Sequence, residues 1–540
     1  MLIIGSFSFN ILSSIVWQAG KEKREKGMKK INYRDISSLR IHKTDYPAQL
    51  FEALAEVSGK LGSEMFLVGG TVRDWLSGIL PNDLDFTVDC EAVRCCRMLI
   101  HELDGGTFVP LGTAEEDAGR VAWHGLTIDF SSFRAGAGTI EEDLCLRDFT
   151  LNGMGISFST FNDSSGGLSL IDPLNGADDL KHGILRACPG AFVSDPLRML
   201  RGYRLWARFG FTFTVETAAD IKKNGSLLKR VSAERIAYEM DLIMASGRSH
   251  EVIAAMADST LLFQVIPDLH DGVGMIQPSS HHLDVFGHSL EALRNMEKIL
   301  ANPDHYYSEC SDLLQEYLQQ PGISQLLKWG ALLHDLGKPA TRKIREDKSG
   351  RITFYNHDNV SSDMVQKLGR MLRWSNEKKN RVAKLTEMHM HPFHLCNVRR
   401  KAKLSKKACL KLAKRAGKDL TGLFLLAMAD SLAGKGEKHP EAMEDELSDL
   451  LCDVLEIYKK NIQPALSGKR LVTGNDLITI FSLQPGPEFS EILNKLQEAQ
   501  VEGKVTNREE ALEWVRQYLK FLRTPLTRRI NRSICSPCLT

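Results

Sequence analysis

The chain has 540 residues, of which 43% are hydrophobic and 25% are charged, and its formal net charge is +1. These values exclude a disordered or fibrous chain, and the length predicts roughly three or more domains, because one hydrophobic core stops growing well below this size. The balanced charge also excludes nucleic-acid binding through a global positive field, so any such binding needs local basic surfaces.

Residues 1–47 are interpreted as a poorly ordered N-terminal extension. The apolar stretch from Leu2 to Trp17 lacks a basic leading segment, is interrupted by Ser and Asn, and is short for a membrane span. A charged run over residues 21–30 follows, and Met28 is a candidate start. We therefore predict no signal peptide and no membrane association.

Cysteine usage predicts the compartment. Eleven cysteines are scattered without the spacing of a disulfide framework, which favours a reducing cytoplasm. Cys535 and Cys538 form a CxxC pair, but no second pair or histidine cluster accompanies it. We interpret that pair as an incidental feature of the tail and not as a zinc site.

The first predicted domain is a small α/β head over residues 48–185. From Glu64 to Val88 the pattern predicts a strand, a glycine turn, a short helix and a second strand, and a further β-rich stretch covers 106–133. After Asp195 the pattern is almost wholly helical. The predicted fold class is therefore α+β, with a small head followed by an extended all-α body.

The head carries a pair of carboxylates on one predicted strand. Asp83 and Asp85 are two residues apart, so their side chains point to the same face. Two carboxylates so placed can hold two Mg²⁺ ions about 3.5 to 4 Å apart for in-line phosphoryl displacement. Asp129, in the run LTIDFSS, has the alternation expected of a third catalytic carboxylate beside this pair.

A glycine turn precedes the carboxylate pair. Gly69 and Gly70 allow backbone N–H groups to approach a phosphate closely, and Arg73 is placed to clamp that phosphate. An acidic pair on an exposed strand alone usually has no function. Its coupling to GG-x-x-R-D at this spacing indicates a nucleotide site that includes Asp83 and Asp85.

These motifs resemble those of a known family. The runs LVGGTVRDWLSG and NDLDFTV resemble the head of class II CCA-adding enzymes and bacterial poly(A) polymerases, whose fold belongs to the polymerase β superfamily. EEDLCLRDFTLNGMGIS, IDPLNGADDLKHGILR, DPLRMLRGYRLWARFGF, SAERIAYEM and TGNDLI follow in the family's order, so the resemblance spans most of residues 48–520. It implies addition of C and/or A residues from CTP or ATP to the 3′ end of tRNA, with Mg²⁺ in the head.

The resemblance also implies how the base is selected. Asp195 and Arg198 would pair with the Watson–Crick edge of CTP or ATP, because a carboxylate accepts from the exocyclic amine and a guanidinium donates to ring acceptors. Without the surrounding match, an Asp and an Arg three residues apart would be read as a surface ion pair. Further nucleotide contacts are implied for Arg147, Asp148, Asn152, Arg201 and Arg204.

Three departures from the family pattern concern nucleotide choice. The family segment usually written RRDFTxNA corresponds to residues 146–153, where Leu146 replaces the first Arg of this RRD segment. The family segment EDxxR corresponds to residues 194–198, where Ser194 replaces the Glu. Only residues 130–146 separate the strand of the third carboxylate from the RRD segment, whereas CCA-adding members use a longer flexible loop to switch from CTP to ATP. The short loop therefore predicts an enzyme that adds only C residues.

The helical body contains a second candidate site within residues 271–440. His288, the pair His334-Asp335 and Asp430 have the H…HD…D order of the HD phosphohydrolase superfamily, and LLHDLGKPAT is similar to its core. Such ligands would hold one or two divalent metals that activate water. Genuine phosphohydrolase activity and a purely scaffolding role both remain open. Second-metal or phosphate contacts usually arise between the ends of this motif, where the chain has His357, His389 and His391.

The remaining predicted parts are a helical neck over 186–270, a tRNA-binding tail over 441–525 and a C-terminal tail over 526–540. By resemblance, the tRNA-binding tail would hold the tRNA elbow through shape and phosphate contacts. Residues 399–418 include ten Lys or Arg and no acidic residue, which predicts either phosphate contact or a solvated helix face.

Two alternatives to tRNA 3′-end maturation remain. One is a poly(A) polymerase acting on general RNA, which the long body and TGNDLI disfavour because they indicate a device specific for tRNA. The other is a hydrolase with an inert head, which the presence of both Asp83 and Asp85 disfavours. The nucleotides added, the HD metal and the oligomeric state are left open by the sequence.

Overall fold

The computed structural model describes residues 45–111, 117–163, 168–346 and 350–522. Residues 1–44 of the predicted extension, including Met28, and the CxxC pair of the C-terminal tail lie outside these ranges. The chain divides into two compact units. The first extends to Arg198 and includes Phe209–Asn224, and the second comprises Met199–Arg208 and the chain from Gly225. The finer division into six parts stays a prediction.

The first unit is built on a mixed β-sheet that has seven strands within the described residues. In chain order these are β1 (Met65–Val68), β2 (Asp83–Val88), β3 (Thr107–Leu111), β4 (Ala118–Trp123), β5 (Leu126–Ser132), β6 (Gly155–Ser157) and β7 (Leu170–Ile171). The spatial order is β3-β4-β5-β2-β1-β6-β7, and only the β2–β5 pair is parallel. Strand β2 therefore lies inside the sheet, between β1 and β5.

Helices and a short strand pair complete the first unit. The helices are α1 (Ala48–Leu61), α2 (Gly70–Leu76), α3 (Ala92–Glu102), α4 (Ile140–Cys145), α5 (Phe158–Asn162), α6 (Gly176–His182), α7 (Ala191–Ser194) and α9 (Val215–Asn224), and the parallel strands are β8 (Ile184–Leu185) and β9 (Thr212–Phe213). Helix α1 buries one face because its apolar residues recur at helical spacing. The predicted order of strand, glycine turn, helix and strand is confirmed by β1, α2 and β2.

The second unit is mostly helical. It contains most of α8 (Arg198–Phe209), followed by α10 (Ala233–Ala245), α11 (Ser249–Asp258), α12 (Leu261–Val265), α13 (Val285–Ala301), α14 (Ser311–Leu318), α15 (Ile323–Leu333), α16 (Lys338–Thr341), α17 (His357–Met371), α18 (Asn376–Met388), α19 (His391–Arg399), α20 (Lys406–Ala416), α21 (Leu420–Ala433), α22 (Met443–Ile457), α23 (Gln463–Ser467), α24 (Gly474–Thr479), α25 (Pro487–Val501) and α26 (Arg508–Leu522).

Among the described residues, the predicted all-α body contains β9 in its neck and a hairpin in which β10 (Lys343–Arg345) pairs with β11 (Arg351–Thr353). Ile344, Ile352 and Thr353 are β-branched, which favours the extended backbone over another helical turn. The predicted α+β class is otherwise confirmed. Every helix in the described part of the chain is too short or too polar to cross a bilayer.

Helix α21 forms the core of the second unit. Residues 420–431 are all buried, as expected for a helix that is apolar on every side. It packs against α13, α15 and α22, which surround it. This packing brings Asp430, near the end of α21, toward residues carried by α13 and α15. Farther along the chain, a separate small core holds α24, α25 and α26 together.

Candidate active site and metal centre

Asp83 and Asp85 stand at the beginning of β2, on the face opposite the buried Leu84 and Phe86. Thr71 fixes the backbone between the two carboxylates. Its Oγ1 accepts a hydrogen bond from the Asp85 backbone N–H at 2.6 Å and donates to the Asp83 carbonyl at 3.2 Å. The pair is thus held by strand pairing and by the buried hydroxyl of Thr71. The sequence pattern gave no signal for Thr71.

The glycine turn folds against Asp85. Gly69 has φ 65° and ψ −125°, a backbone conformation that favours glycine. A Cβ atom at Gly69 would lie 2.6 Å from Arg147 Nη1, and one at Gly70 would lie 3.0 Å from Asp85 Oδ2. The Gly70 backbone N–H donates to Asp85 Oδ2 at 3.0 Å. A side chain at either glycine would therefore crowd the Asp85 carboxylate or its neighbour Arg147.

Arg73, Asn152 and Asp148 form a buried network. The Arg73 guanidinium donates to Asp74 Oδ1 at 2.8 and 2.6 Å and to Asn152 Oδ1 at 2.7 Å. Asn152 Nδ2 in turn donates to Asp148 Oδ1 at 2.8 Å. These bonds give Asp148 and Asn152 a structural role, because they tie the segment after β5 to Arg73 of α2. Contacts from these residues to phosphate and ribose stay predictions.

Arg147 lies beside the carboxylate pair. Its Nη2 donates to Thr87 Oγ1 at 3.0 Å on β2, and Asp143 lies 3.5 Å away. Burial, reinforced by the charge of Arg134, lowers the pKa of Arg147 to about 10, so the guanidinium stays charged at neutral pH. Burial raises the pKa of Asp85, and the nearby Arg147 opposes that rise. The structure thus brings Gly69, Asp85 and Arg147 together.

Asp129 has an arginine partner that the sequence reasoning missed. It is in register with Asp85 on one side and with Arg120 on the other. Arg120 Nε and Nη2 donate to Asp129 Oδ1 and Oδ2, both at 2.8 Å. Among the described residues, groups of three or more ligand atoms within 4.8 Å of one another occur only in the second unit. A catalytic role for Asp129 stays a prediction.

The residues assigned to base selection flank the start of α8. Asp195 Oδ1 accepts from the Leu197 backbone N–H at 3.1 Å. Arg198 Nη1 donates to the carbonyls of Leu146 and Arg147 at 3.0 and 3.1 Å, which connects it to the RRD segment. Arg201 and Arg204, the two further arginines of this helix with implied nucleotide contacts, belong to the second unit, where Arg204 Nε lies 3.2 Å from Glu239 Oε2. Nucleotide contacts by Arg198, Arg201 and Arg204 stay predictions.

The carboxylate pair fits Mg²⁺ by its donor chemistry. Mg²⁺ prefers oxygen ligands and is usually held by one or two carboxylates together with substrate phosphates. Asp83 is exposed and Asp85 is partly exposed, both on the face beside the glycine turn. This face therefore offers two hard anionic ligands for such an ion.

The HD motif residues converge in the second unit. His288 Nε2 lies 3.0 Å from Asp430 Oδ1 and 3.4 Å from Asp335 Oδ2, and His334 Nε2 lies 3.1 Å from Asp335 Oδ2. For metal–ligand bonds of about 2.1 Å, neighbouring ligand atoms are separated by roughly 3.0 to 3.4 Å. The four predicted ligands are thus brought together at spacings that suit one divalent ion.

A second ligand group shares Asp335. His357 Nε2 lies 3.4 Å and His389 Nε2 3.8 Å from Asp335 Oδ1, and the two nitrogens are 3.2 Å apart. His281, which the sequence reasoning missed, joins His288 and Asp430 in a further group. His391 is not part of these groups, because Arg415 Nη1 donates to its Nε2 at 2.6 Å.

Backbone carbonyls orient the imidazole rings. His334, His357 and His389 contact the carbonyls of residues 331, 354 and 386 through Nδ1, at 2.9, 2.8 and 2.7 Å. A carbonyl only accepts, so Nδ1 carries the hydrogen and a neutral ring directs its Nε2 lone pair into the cluster. Burial and the neighbouring His357 lower the pKa of His389 to about 3, so it stays neutral. Burial also lowers that of His334, but Asp335 and Asp430 outweigh it and raise the pKa to about 10, so this ring must release its Nε2 proton when it binds a metal.

A cavity of about 390 Å³ opens onto this cluster. Asp335, His357, His389 and Asp430 line its floor. Its other lining residues include positive and aromatic side chains suited to a phosphate and a planar group, namely Lys338, Arg351, Phe354, Tyr355 and Phe393. The cavity could therefore admit a small phosphate ester.

Half of the ten basic residues in the run over 399–418 form ion pairs within the second unit. Arg399 pairs with Asp453 at 2.9 Å, Arg400 with Glu446 at 2.8 Å and Lys407 with Glu498 at 2.8 Å. Arg415 and Lys418 also pair with acidic residues of α18. These ion pairs support the reading of a solvated helix face for much of the run.

Four family models match consecutive parts of the chain. The poly(A) polymerase head domain matches residues 65–186, and the probable RNA- and SrmB-binding site of polymerase A matches 210–272. The HD domain matches 285–434, and the putative domain 2 of tRNA nucleotidyltransferases matches 437–515. The four matched domains follow one another along the chain in the same order as the sequence motifs that resemble them.

Curated relatives match over most of their length. The chain is 28% identical over 460 residues to the A-adding tRNA nucleotidyltransferase of Deinococcus radiodurans, covering 84% of the chain and 95% of the relative. It is 29% identical over 461 residues to the CC-adding tRNA nucleotidyltransferase of Thermus thermophilus, covering 83% and 92%. These two relatives add different nucleotides, so likeness to them leaves nucleotide choice open.

Solved structures share the fold. A CCA-adding enzyme without ligand has a TM-score of 0.61 at 21% identity and covers 91% of this chain and 98% of its own. The complex of a CCA-adding enzyme with CTP has a TM-score of 0.59, and covers 91% and 99%. With the four family models and the relatives, these matches give one consistent assignment. The chain belongs to the family of CCA-adding tRNA nucleotidyltransferases and bacterial poly(A) polymerases, and it carries an HD domain.

Proposed function

We propose that this protein is a template-independent nucleotidyltransferase that adds C and/or A residues to the 3′ end of tRNA and releases pyrophosphate. The observation that carries the proposal is the placement of Asp83 and Asp85 on one face of β2, with the glycine turn folded against Asp85. Relatives that add A or CC to tRNA support tRNA as the substrate.

The proposed mechanism assigns each step to a group in the first unit. Asp83 and Asp85 would hold Mg²⁺, which when bound neutralises the triphosphate and favours the ionised 3′ hydroxyl. The Gly70 N–H holds Asp85 in place, and Arg147 adds a fixed positive charge beside it. Asp195 would accept from the exocyclic amine of the base, and its partner Arg198 would donate to the ring acceptors.

The short connection after β5 supports the choice of C alone. Strand β5 ends at Ser132 and α4 begins at Ile140. Arg134, within this connection, donates to Asp143 of α4 through its backbone N–H at 2.9 Å and through Nη1 at 2.8 Å, which ties the segment to α4. A tied segment has less freedom to reshape the pocket between CTP and ATP.

Gel-resolved extension tests nucleotide choice. Transfer RNA ending at the discriminator base, at C or at CC is incubated with CTP or ATP alone. We expect CTP to extend the first two substrates and ATP to leave the third unchanged. Efficient addition of A to the CC end would overturn the C-only proposal: it would indicate CCA addition if CTP also extends the first two substrates, and the activity of the A-adding relatives if it does not.

An extension assay with a general RNA substrate distinguishes tRNA maturation from poly(A) polymerase activity. An unstructured RNA of tRNA length is incubated with ATP beside the tRNA substrate. We expect extension of tRNA to stop after at most three nucleotides and the unstructured RNA to be a poor substrate. Open-ended incorporation of AMP into both RNAs would support the poly(A) polymerase alternative.

We propose a second function for the HD cluster, as a divalent-metal centre that hydrolyses phosphate esters. The two ligand groups that share Asp335 and the cavity above them favour it. Purified protein is assayed for phosphate release from 2′,3′-cyclic and monophosphate nucleotides with Ni²⁺, Mn²⁺ or Mg²⁺, and His334→Ala serves as the control. If no phosphate is released, the HD domain is left as a scaffold.

The cytoplasm remains the proposed compartment. All cysteines in the described part of the chain are free thiols, which supports the expectation of a reducing environment. Localisation of a tagged chain by fractionation would check it.

A further inference from the structure

Arg120 and Asp129 form an ion pair beside the proposed metal-binding carboxylates of the head. Both oxygens of Asp129 accept hydrogen bonds from Arg120, each at 2.8 Å, in a bidentate fork. Such forks are among the stronger ion pairs because two parallel charge-assisted bonds form at once. A metal ion that took Asp129 as a ligand would have to break this fork.

Strand register places the pair beside the metal-binding face. Asp85 on β2, Asp129 on β5 and Arg120 on β4 lie directly opposite one another in consecutive strands. Residues in register point to the same face, and neighbouring strands are about 4.8 Å apart. The positive charge of Arg120 therefore lies two strands from Asp85, on the same side of the sheet.

The charges on this face of the sheet indicate that Arg120 affects how strongly the carboxylates bind a cation. Asp129 and the carboxylate pair place three negative charges on the neighbouring strands β2 and β5, and Arg120 on β4 offsets one of them. The hydrogen bonds to Asp129, with the charges of Asp83 and Asp85, raise the pKa of Arg120, so it stays charged throughout the working pH range. About four-tenths of the Arg120 side chain is exposed, so the fork is not enforced by burial.

We propose that Arg120 withholds Asp129 from the metal centre, so that the free enzyme presents Asp83 and Asp85 as a two-carboxylate site whose affinity for divalent cations Arg120 sets. This inference rests on the proposed nucleotidyltransferase function. Arg120 is a positioning residue, because it acts through Asp129 and through its charge. Among the described residues, Asp83, Asp85 and Asp129 do not form a group whose ligand atoms all lie within 4.8 Å of one another, which agrees with the proposal.

Iron-dependent cleavage of the full chain tests the proposal at the metal site itself. Fe²⁺ with ascorbate and hydrogen peroxide cuts the backbone near bound metal, and mass spectrometry separates cuts near residue 85 from cuts near residue 335. The Fe²⁺ concentration that gives half-maximal cutting near residue 85 is measured for each variant. Cutting near the HD cluster in the same sample is the internal control.

The variants have opposite expected signs. Arg120→Gln frees Asp129 and removes a positive charge, so the half-maximal Fe²⁺ concentration should fall about tenfold. Asp129→Asn leaves Arg120 uncompensated, so that concentration should rise. The double variant removes the pair without changing the net charge, so it should stay within about threefold of the wild type. Arg120→Lys keeps the charge and should lie closer to the wild type than Arg120→Gln does.

Three results would overturn the proposal or its basis. A double variant that binds about tenfold more weakly than the wild type would make Asp129 a ligand in the native site. Unchanged affinity in Arg120→Gln, with an unchanged melting temperature, would leave the pair with a purely structural role. Head cutting that persists in Asp83→Asn/Asp85→Asn would instead contradict the proposed metal pair, whatever the Arg120 variants show.

Discussion

Asp85 Oδ2 accepts a hydrogen bond from the Gly70 backbone N–H at 3.0 Å, and this bond joins the carboxylate pair to the glycine turn. The two motifs are separated in sequence by a helix, yet they form one site in the structure. The bond also fixes one oxygen of Asp85. Changes in the turn should therefore act on the chemistry as well as on stability.

Alanine at Gly69 should impair nucleotide addition strongly. The added Cβ would lie 2.6 Å from Arg147 Nη1, and the positive φ adds backbone strain of about 1–2 kcal/mol. We expect a loss of roughly a hundredfold in kcat/KM, because displacements of about 1 Å at a reacting site cost this much. Gly78→Ala is the matched control, because Gly78 also has positive φ but its Cβ would meet no atom within 4 Å. Equal activity losses in both variants would contradict a role for the turn in the site.

Asp195→Asn should relax discrimination against UTP. The carboxylate accepts only, whereas an amide also donates, and uracil presents an acceptor where cytosine presents an amine. We expect the ratio of kcat/KM for CTP to that for UTP to fall by roughly tenfold or more. The measurement is incorporation of each nucleotide into tRNA at subsaturating concentration. Asp178→Asn, at an exposed position of α6, should leave the ratio unchanged; an unchanged ratio in Asp195→Asn would remove this residue from base selection.

The two ligand groups of the HD cluster should be separable by mutation. Loss of His389 removes a ligand from the group with His357 but leaves His288, His334 and Asp430 in place. After loading with Mn²⁺ and gel filtration, we expect His389→Ala to retain about one Mn²⁺ ion fewer per HD domain than the wild type. His391→Ala changes a ring that contacts Arg415 outside the cluster, so it should retain the wild-type content. Identical metal content in all three proteins would refute a second subsite.

His250 should make the second unit less stable in mild acid. Burial lowers the pKa of His250 to about 4, below the ordinary value of about 6.5. As the pH falls from 6.5 to 4, the unfolded chain binds a proton that the folded chain excludes, so the free energy of unfolding decreases by at most about 3 kcal/mol. His250→Asn should lessen this decrease in urea titrations followed between pH 7 and pH 4.

An exposed histidine provides the comparison for that titration. His305→Asn changes a residue at the surface of the second unit and should preserve the wild-type dependence on pH. If His250→Asn and the wild type lose the same free energy of unfolding over this range, the burial of His250 does not contribute to acid sensitivity.

Much of the fold followed from local patterns in the sequence. The alternation around Asp83 and Asp85 and the glycine pair predicted β1, α2 and β2, because strand and turn preferences act over a few residues. In the run TGNDLI, Thr473 forms a capping box with Asp476 at the start of α24, and this pattern lies within four consecutive residues. Such features need no knowledge of distant parts of the chain.

The contacts that could not be predicted depend on register and tertiary packing. The Arg120–Asp129 fork exists because β4 pairs with β5 at one particular register, which residue alternation alone does not fix. Similarly, His281 joins the HD cluster from a loop, and Arg73 is buried against Asn152, a residue far along the chain. Which side chains become partners in such contacts depends on how separate helices, strands and loops pack against one another.

The most direct test of the account is single-turnover incorporation of labelled CMP or AMP into tRNA lacking its 3′ end, by the wild type and by Asp83→Asn and Asp85→Asn. Asp104→Asn, at a turn with left-handed backbone that asparagine adopts readily, is the matched control. We expect both site variants to lose at least about a thousandfold in rate, because each loses a metal ligand, while the control retains wild-type activity. Incorporation by Asp85→Asn at a rate near that of the control would contradict the account.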